Sequence, residues 1–313
     1  MDHITAVELS RLFEGTADRV GLLHSNGRYQ SVHLGEHDDP SSCWIREHFL
    51  DPTFPAVGIY PHISGKWCVW GCIDIDHGDK GIDGLPIARN CVKVGQLLHL
   101  PGYIEKTKSP MCYHVWFFAV GRVLAADMRD ALLLVNEVAG ADSKEVNPKQ
   151  SEATAENMGN FVNLPYPAGR WPDVGRYICD SSGALITPAD FRHGVVRCMP
   201  ADIEAAAEKW RQIEAARPKP TPLYTAPTGP MDEGDLTKRL NGLAFRILRD
   251  GVLEGNDRSF TLFKLALEAR KSDLSPSEVA EVIRMADRRW AHKFYKRADG
   301  ERQIERMVGQ VFR

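Results

Sequence analysis

The chain lacks the features that mark several large classes of protein. None of its apolar runs approaches the length of a membrane span, and residues 1–15 predict an amphipathic helix rather than a secretion signal. No internal repeat is present, and a net charge of −3 over 313 residues neither favours nor excludes a nucleic-acid partner. We therefore expect a cytoplasmic globular protein with no membrane contact.

The cysteines also lack a pairing pattern. There are seven, an odd number, and Cys68 and Cys72 have the spacing of half a zinc site without a suitably spaced second pair downstream. We expect free thiols in a reducing compartment rather than disulfides or a structural zinc.

Proline and charge divide the chain into parts. Five of the 14 residues 217–230 are proline, which favours an extended spacer. Residues 233–313 contain 17 Lys and Arg against 13 Asp and Glu, a balance of +4 that leaves −7 on residues 1–232. We predict a body over residues 1–216, a linker over 217–231 and a basic helical tail over 232–313.

The hydrophobic patterns predict an α+β body and an all-α tail. Apolar runs predict strands at 67–76 and 113–120, and Asn26-Gly27 between two further runs predicts a hairpin turn. Strand runs interleaved with helices indicate a mixed β-sheet covered by helices. The helices predicted in the tail, a small bundle, are 234–249, 259–271, 275–297 and 301–312.

Two carboxylates stand at the end of the apolar run 69–76. Because side chains at positions i and i+2 of a strand project to the same face, we expect Asp74 and Asp76 to lie side by side. Two such charges repel each other unless a cation lies between them, and carboxylate oxygens suit Mg²⁺ or Mn²⁺. A solvated strand end is the simpler alternative, and an Asp-x-Asp pair alone does not decide between them.

A second motif, residues 107–114, is a turn that leads into the predicted strand 113–120. His114 could simply hydrogen-bond a neighbouring strand, but Lys106, Lys108 and Ser109 precede it. Ammonium and hydroxyl groups of this kind suit phosphate oxygens. Two carboxylates and a phosphate-binding loop together indicate metal-dependent nucleotide chemistry.

A third segment, residues 144–166, contains an acid in a short strand-like run. Glu145 could complete a metal site, or it could be an ordinary surface strand residue. Lys149 adds a cation, and Asn160 is a polar residue beside an apolar run.

In this order the three segments resemble the archaeo-eukaryotic primase superfamily, and more narrowly the primase-polymerases of phages, plasmids and mobile elements. That family shows an acid–hydrophobic–acid strand, a turn ending in Ser-x-His before an apolar strand, and then a third acid. The counterparts here are residues 73–76, residues 107–114 and the segment around Glu145. Residues 253–258 and Thr261-Leu262 resemble the helical primase C-terminal domain. The resemblance implies an α+β catalytic core with an RRM-like palm.

The resemblance also implies an enzyme, a DNA-templated nucleotidyltransferase that makes primers on single-stranded DNA and extends them from dNTPs or NTPs. The residues implied to hold two Mg²⁺ or Mn²⁺ ions and to support catalysis are Asp74, Asp76 and Glu145. The residues implied to bind the incoming nucleotide are Lys108, Ser109, His114, Lys149 and Asn160.

The basic tail is implied to give a second grip on the template during initiation. Candidate DNA contacts are Arg284, Arg288 and Arg289, with Trp290 for stacking on a base. Taken singly, an arginine on a helix usually faces solvent and a tryptophan usually packs in a core. Since the sequence has no helicase segment, a separate replicative helicase is an expected partner.

Two positions depart from the family pattern. Cys112 stands where the family has the serine of Ser-x-His, so one hydroxyl donor is lost unless Ser109 replaces it, and Asp142 competes with Glu145 as the third acid. Two alternatives remain, namely a repair or gap-filling polymerase that cannot start primers, and a non-catalytic module that binds replication origins or single-stranded DNA. A rolling-circle nicking enzyme needs a paired-histidine metal site, and no His-x-His motif occurs.

Overall fold

The computed structural model describes residues 1–24, 28–35, 41–78, 81–154, 157–169, 175–217, 231–251, 257–295 and 299–312. The chain divides into two compact units, Met1–Arg217 and Pro218–Arg313. Within these described ranges, no helix is both long and apolar enough to cross a membrane. The predicted Asn26-Gly27 turn, most of the predicted linker and residues 253–256 lie outside the described residues.

Unit 1 combines two β-sheets with helices. Its described strands are β1 (Arg19–Leu23), β2 (Tyr29–His33), β3 (Ala56–Ile59), β4 (Trp67–Ile75), β5 (Gly102–Lys106), β6 (Tyr113–Leu124), β7 (Glu145–Asn147), β8 (Val162–Asn163) and β9 (Tyr177–Cys179). Its described helices are α1 (His3–Leu12), α2 (Ser41–Leu50), α3 (Leu85–Leu97), α4 (Ala125–Val138), α5 (Pro188–Gly194) and α6 (Pro200–Ala216). The predicted α+β class is confirmed.

The larger sheet has the strand order β7-β4-β6-β5-β9, and the smaller has the order β2-β1-β3-β8. Helix α3 connects β4 to β5 across β6, and α4 connects β6 to β7 across β4, so two split β-α-β units are interleaved. This is the RRM-like palm that the resemblance implied. We expected a sheet of mixed parallel and antiparallel strands, but every pairing between the described strands is antiparallel. In the larger sheet this follows from the interleaving of the two β-α-β units.

Strand alternation sends the side chains of the palm into two hydrophobic cores. Ile73 and Val115 pack with α3, α4 and α6 on one face of the larger sheet. Cys72 and Trp116 pack on the other face, in a core shared with α1, α2, β1 and β3. Since residues i and i+2 share a face, Asp74 lies on this second face, beyond Cys72.

Unit 2 is a helical bundle with its own hydrophobic core. Its described elements are α7 (Glu233–Arg239), α8 (Gly242–Asp250), α9 (Arg258–Arg270), α10 (Pro276–Ala286), a π-helical turn (Asp287–Ala291) and α11 (Gly300–Val311). The helix predicted over 234–249 is two helices, because the Asn241 side chain accepts the Leu243 and Ala244 N–H groups and starts α8. Helix α10 begins near the predicted start at residue 275, with a capping box of Ser275 and Glu278.

Candidate functional site

Four ionisable side chains form a row across the palm. In the strand register, Glu145 of β7 lies opposite Asp74 of β4, Asp74 lies opposite His114 of β6, and His114 lies opposite Glu105 of β5. Directly opposed residues on adjacent strands put their side chains on one face, about 5 Å apart at Cβ. Residues from four separate strands therefore meet in one polar row, next to the aromatic core.

Asp74 is held in an unfavourable environment for a carboxylate. Its side chain is 28% exposed. Burial raises the pKa of Asp74, the His114 imidazole opposes the shift, and the carboxylates of Glu145, Asp76 and Glu105 raise it further. Ionised Asp74 is therefore destabilised in its present surroundings, and a bound cation would offset that cost.

Glu105 fixes the histidine of the row. Its side chain is fully buried, and its Oε2 accepts hydrogen bonds from His114 Nδ1 at 2.8 Å and Trp116 Nε1 at 2.6 Å. Its Oε1 lies 3.7 Å from the buried Arg176 guanidinium. With Nδ1 bound to Glu105, the other ring nitrogen, Nε2, is directed toward Asp74 Oδ1 at 3.7 Å. Glu105 thereby sets the orientation of the ring.

The same contacts favour a charged imidazole. Burial lowers the pKa of His114, but the carboxylates of Glu105 and Asp74, together with the hydrogen bond to Glu105, outweigh it and raise the pKa above its ordinary value. A positively charged ring beside two carboxylates is a suitable partner for a phosphate oxygen once a metal neutralises part of the acidic charge.

The His114 shift predicts how stability changes with pH in metal-free buffer. Because its pKa is higher in the folded than in the unfolded chain, its contribution is complete below about pH 6.5 and is lost as pH rises through the folded value. The free energy of unfolding should fall across that window in the wild type and fall less in His114→Gln. Urea denaturation at half-unit pH steps from 6 to 9, with EDTA present, measures this. Equal pH slopes for the two proteins would contradict the prediction.

Glu105 was not recognised as a functional residue from the sequence. The available signal in the sequence was an acid next to Ile104 in the short segment before the phosphate-binding turn. It did not suffice, because only the β5–β6 register sets Glu105 opposite His114.

Asp76 lies just past the end of β4 and is exposed. It accepts a hydrogen bond from Cys112 Sγ at 3.0 Å. Burial, followed by the hydrogen bond to Asp76, raises the pKa of Cys112 to about 11, so the thiol stays protonated and remains a donor. The cysteine that departs from the family pattern thus connects the turn before β6 to the acidic end of β4.

The third acidic segment is positioned by short polar contacts. The Ser143 hydroxyl donates to the main-chain oxygen of Asp74. Lys149 Nζ and Asn160 Nδ2 donate to Glu145 Oε1 at 2.9 Å and 3.3 Å. The exposed Asp142 has a left-handed backbone (φ 47°) and precedes β7. Glu145 is therefore the acid that lies opposite Asp74, and the structure brings Lys149 and Asn160 to it.

The segment that contains Asn160 is anchored by the packing of the adjacent residue, Phe161. The Phe161 ring covers Gly21 of β1 and Gly58 of β3, which lie opposite each other. A Cβ added at either glycine would lie 2.5 Å or 2.3 Å from the ring, so no other residue leaves room for it. This close packing keeps Asn160 beside Glu145.

Lys108 and Ser109 are exposed in the turn between β5 and β6. The Ser109 carbonyl accepts a hydrogen bond from the Cys112 N–H, which closes the turn. Within the described part of the chain, Lys108 forms no ion pair, so its ammonium is available to an anionic ligand.

The three predicted acids do not form a ready-made metal centre. Among the residues that the structure describes, no group of three or more His, Cys, Asp or Glu side chains is arranged to hold a metal ion. Glu145 is directed to Lys149 and Asn160. Asp74 and Asp76 nevertheless offer carboxylate oxygens, the donors that Mg²⁺ and Mn²⁺ prefer.

In unit 2, two of the three predicted DNA contacts are occupied within the protein. Arg284 pairs with Glu281 at 3.0 Å and with Glu301 at 2.7 Å. Arg288 pairs with Glu233 at 2.9 Å and with Glu281 at 2.8 Å. Arg289 is exposed. Trp290 is partly buried and packs against the hydrophobic core of the bundle. Carboxylates of unit 2 thus pair with Arg284 and Arg288, and the prediction that these arginines and Arg289 contact DNA stays a prediction.

Comparison with known families gives a match over residues 37–171. The family is described as "TOTE conflict system, Archaeo-Eukaryotic Primase domain", and the matched segment contains Asp74, His114 and Glu145. Among solved structures, the chain is similar to one titled "Crystal structure of primase RepB'", with a TM-score of 0.33, 14% identity, and coverage of 99% of this chain and 94% of that one. A similarity of that size supports no conclusion about fold or function. No protein of curated function matches the sequence.

Proposed function

We propose that the chain is a DNA-templated primase-polymerase, because residues 37–171 match the archaeo-eukaryotic primase domain model. It would synthesise short primers on single-stranded DNA and extend them by nucleotidyl transfer. The observation that carries the proposal is the row Glu145–Asp74–His114–Glu105, which sets two carboxylates beside an imidazole fixed by a third, inside the matched segment.

Each residue has a role that its surroundings support. Asp74 and Asp76 would hold Mg²⁺ or Mn²⁺, with Glu145 joining them when it leaves Lys149 and Asn160. Bound there, the metal would activate the primer hydroxyl and offset charge on the leaving pyrophosphate. His114, kept in place by Glu105, would bind the triphosphate together with Lys108 and Ser109 in the adjoining turn.

The remaining polar residues would orient the substrate. Lys149, released from Glu145, would add a phosphate contact, and Asn160 would contact the sugar or base. No covalent intermediate on the protein is needed, because positioning and electrostatic stabilisation supply most of the catalysis in phosphoryl transfer.

The test is synthesis on unprimed single-stranded DNA with labelled dNTPs or NTPs and Mg²⁺ or Mn²⁺. We expect short products from the wild type and none from Asp74→Ala/Asp76→Ala. A matched control, Glu204→Ala/Glu208→Ala, removes two exposed carboxylates of α6 and should leave product formation unchanged. If neither unprimed nor primed templates yield products and nucleotide does not bind, the proposal is wrong and a non-catalytic DNA-binding module becomes the better account.

A second candidate is a polymerase of the same fold that extends primers without starting them. The ion pairs of Arg284 and Arg288 favour it, because they leave unit 2 with less positive charge for a second grip on the template. Extension of a supplied primer, with no product on unprimed DNA, would identify this activity. A separate helicase partner is proposed only with the priming activity.

A further inference from the structure

A cavity of about 750 Å³ in unit 1 lies outside the acidic row. It is bounded by one side of α3, by β5 and by the turn that follows β9. Ile104, which lines it, and Glu105, which belongs to the row, are consecutive in β5 and therefore point to opposite faces of the sheet. The lining contains Ile104 but none of the four residues of the row, and the cavity volume is in the range of sites for small ligands.

The α3 wall of the cavity offers unused donors. Arg89, Lys93 and Gln96 stand at positions i, i+4 and i+7, which share one side of a helix. In the described part of the chain none of these three side chains forms a hydrogen bond or ion pair. The Arg89 Nε is buried without a hydrogen-bond partner, a costly arrangement that a ligand oxygen would relieve.

The opposite wall carries one carboxylate that is already occupied. Asp180 Oδ1 accepts hydrogen bonds from the Ser182 N–H at 2.8 Å, the Ser182 hydroxyl at 2.6 Å and the Ala184 N–H at 2.9 Å. These bonds hold the acid within its own turn. Two cations on one wall against one satisfied carboxylate leave the cavity attractive to an anion.

The charge of the cavity and the side chains that line it restrict the class of ligand that it can bind. Two cations match the charge of a phosphate monoester, about −1.5 to −2 at pH 7, whereas a triphosphate or a tracked nucleic-acid strand needs more positive charge. Apolar side chains of Val92, Ile104 and Ile186 form part of the remaining lining and offer a planar base contacts that a free inorganic ion does not use.

We propose that this cavity binds a nucleoside monophosphate, with the phosphate on Arg89 and Lys93 and the base against Val92, Ile104 and Ile186. The site is separate from the proposed nucleotidyl-transfer centre. It requires no metal and does not depend on the proposed function.

Calorimetric titration of the full chain in EDTA, with AMP, adenosine and inorganic phosphate as probes, tests the proposal. We expect AMP to bind at least about 10-fold more tightly than adenosine or phosphate alone, since either fragment loses one half of the contacts. Arg89→Gln/Lys93→Gln should weaken AMP about 10–100-fold by removing the charged donors. Equal binding of AMP and adenosine, equal binding of AMP and phosphate, or no AMP binding at all would each overturn it.

Three further variants distinguish AMP binding in this cavity from AMP binding elsewhere on the protein. Arg11→Gln/Lys209→Gln removes two exposed cations elsewhere in unit 1 and should bind AMP like the wild type. His114→Gln should also retain AMP binding, and a loss there would assign AMP to the polymerisation site and overturn the proposal. Gln96→Glu replaces a neutral amide on the wall with a carboxylate and leaves Arg89 and Lys93 in place, so it should weaken AMP binding even if the double variant fails to fold.

A competition experiment tests whether the cavity binds a nucleic-acid strand instead of a nucleoside monophosphate. An unphosphorylated 20-nucleotide single-stranded DNA should not displace AMP from the cavity. The opposite outcome has two parts: the DNA displaces labelled AMP at lower concentration than unlabelled AMP does, and Arg89→Gln/Lys93→Gln abolishes that displacement. Those two results together would show that the cavity is part of a strand-binding groove and that the monophosphate proposal is wrong.

Discussion

Asp74→Asn should abolish nucleotidyl transfer and, in metal-free buffer, make the protein harder to unfold. The pKa of Asp74 is raised by burial and by three neighbouring carboxylates, so ionising it in the folded chain costs stability at neutral pH. An amide removes that cost and also removes a proposed metal ligand. We expect activity to fall by about 10³-fold or more, the scale of losing one charge-stabilising group at a reacting centre.

Metal addition should then reverse the order of the two proteins. A ligand present at 100 times its Kd stabilises the state that binds it by about 2.7 kcal/mol. Mg²⁺ or Mn²⁺ should therefore raise the wild-type unfolding temperature and have little effect on Asp74→Asn. Thermal unfolding with EDTA and with each metal measures both effects. A variant that is less stable than the wild type in EDTA would show that ionised Asp74 is not destabilised by its surroundings.

Asp142→Asn is the matched control for this experiment. Asp142 is exposed and has a φ of 47°, a backbone that asparagine accepts readily. The change removes one nearby carboxylate with no strain, so activity and metal response should stay as in the wild type. Glu145→Gln should instead lower activity, because Glu145 is the acid opposite Asp74.

Glu105→Gln should be among the most destabilising single substitutions in the palm. The fully buried carboxylate pairs with Arg176 and His114, and a neutral amide leaves the Arg176 guanidinium buried without a counter-charge. Removing one member of a buried pair typically costs about 3–5 kcal/mol. Urea denaturation at pH 7 measures the loss.

Two comparisons separate buried charge from general damage. Glu14→Gln breaks an ion pair with Arg122 at 2.9 Å whose side chains are about half exposed, and such pairs contribute about 0–1 kcal/mol. Glu105→Gln/Arg176→Met removes both charges and should recover much of the lost stability. A loss for Glu105→Gln as small as that for Glu14→Gln would contradict the argument.

Glu105→Gln should also change the KM for the incoming nucleotide. Without Glu105 the His114 ring loses the hydrogen bond that directs its other nitrogen, so the KM for the incoming nucleotide should rise in whatever fraction remains folded. Because Glu105 acts through His114, Glu105→Gln should add little to the KM of His114→Gln in the double variant. Additive effects would mean that Glu105 has only a structural role.

Local patterns in the sequence predicted the parts of this fold that depend on short-range chemistry. The strand predicted over 67–76 is Trp67–Ile75, and the capping box at Ser275 starts α10. These features follow from periodicity and from side chains that bond their own backbone within a few residues. The helix predicted over 275–297 was too long, because the buried Asp287 carboxylate accepts the N–H groups of Lys293 and Phe294 and ends the helical run.

The sequence by itself thus determined the acidic strand end, the histidine strand, the α+β class and the helical tail. Only the tertiary structure decided that Glu145 rather than Asp142 lies opposite Asp74, that Glu105 holds His114, and that Glu281 occupies Arg284 and Arg288. The physical reason is range. Periodicity fixes which face a side chain takes within its own strand or helix, whereas strand register and ion pairing join residues whose separation in sequence carries no local signal.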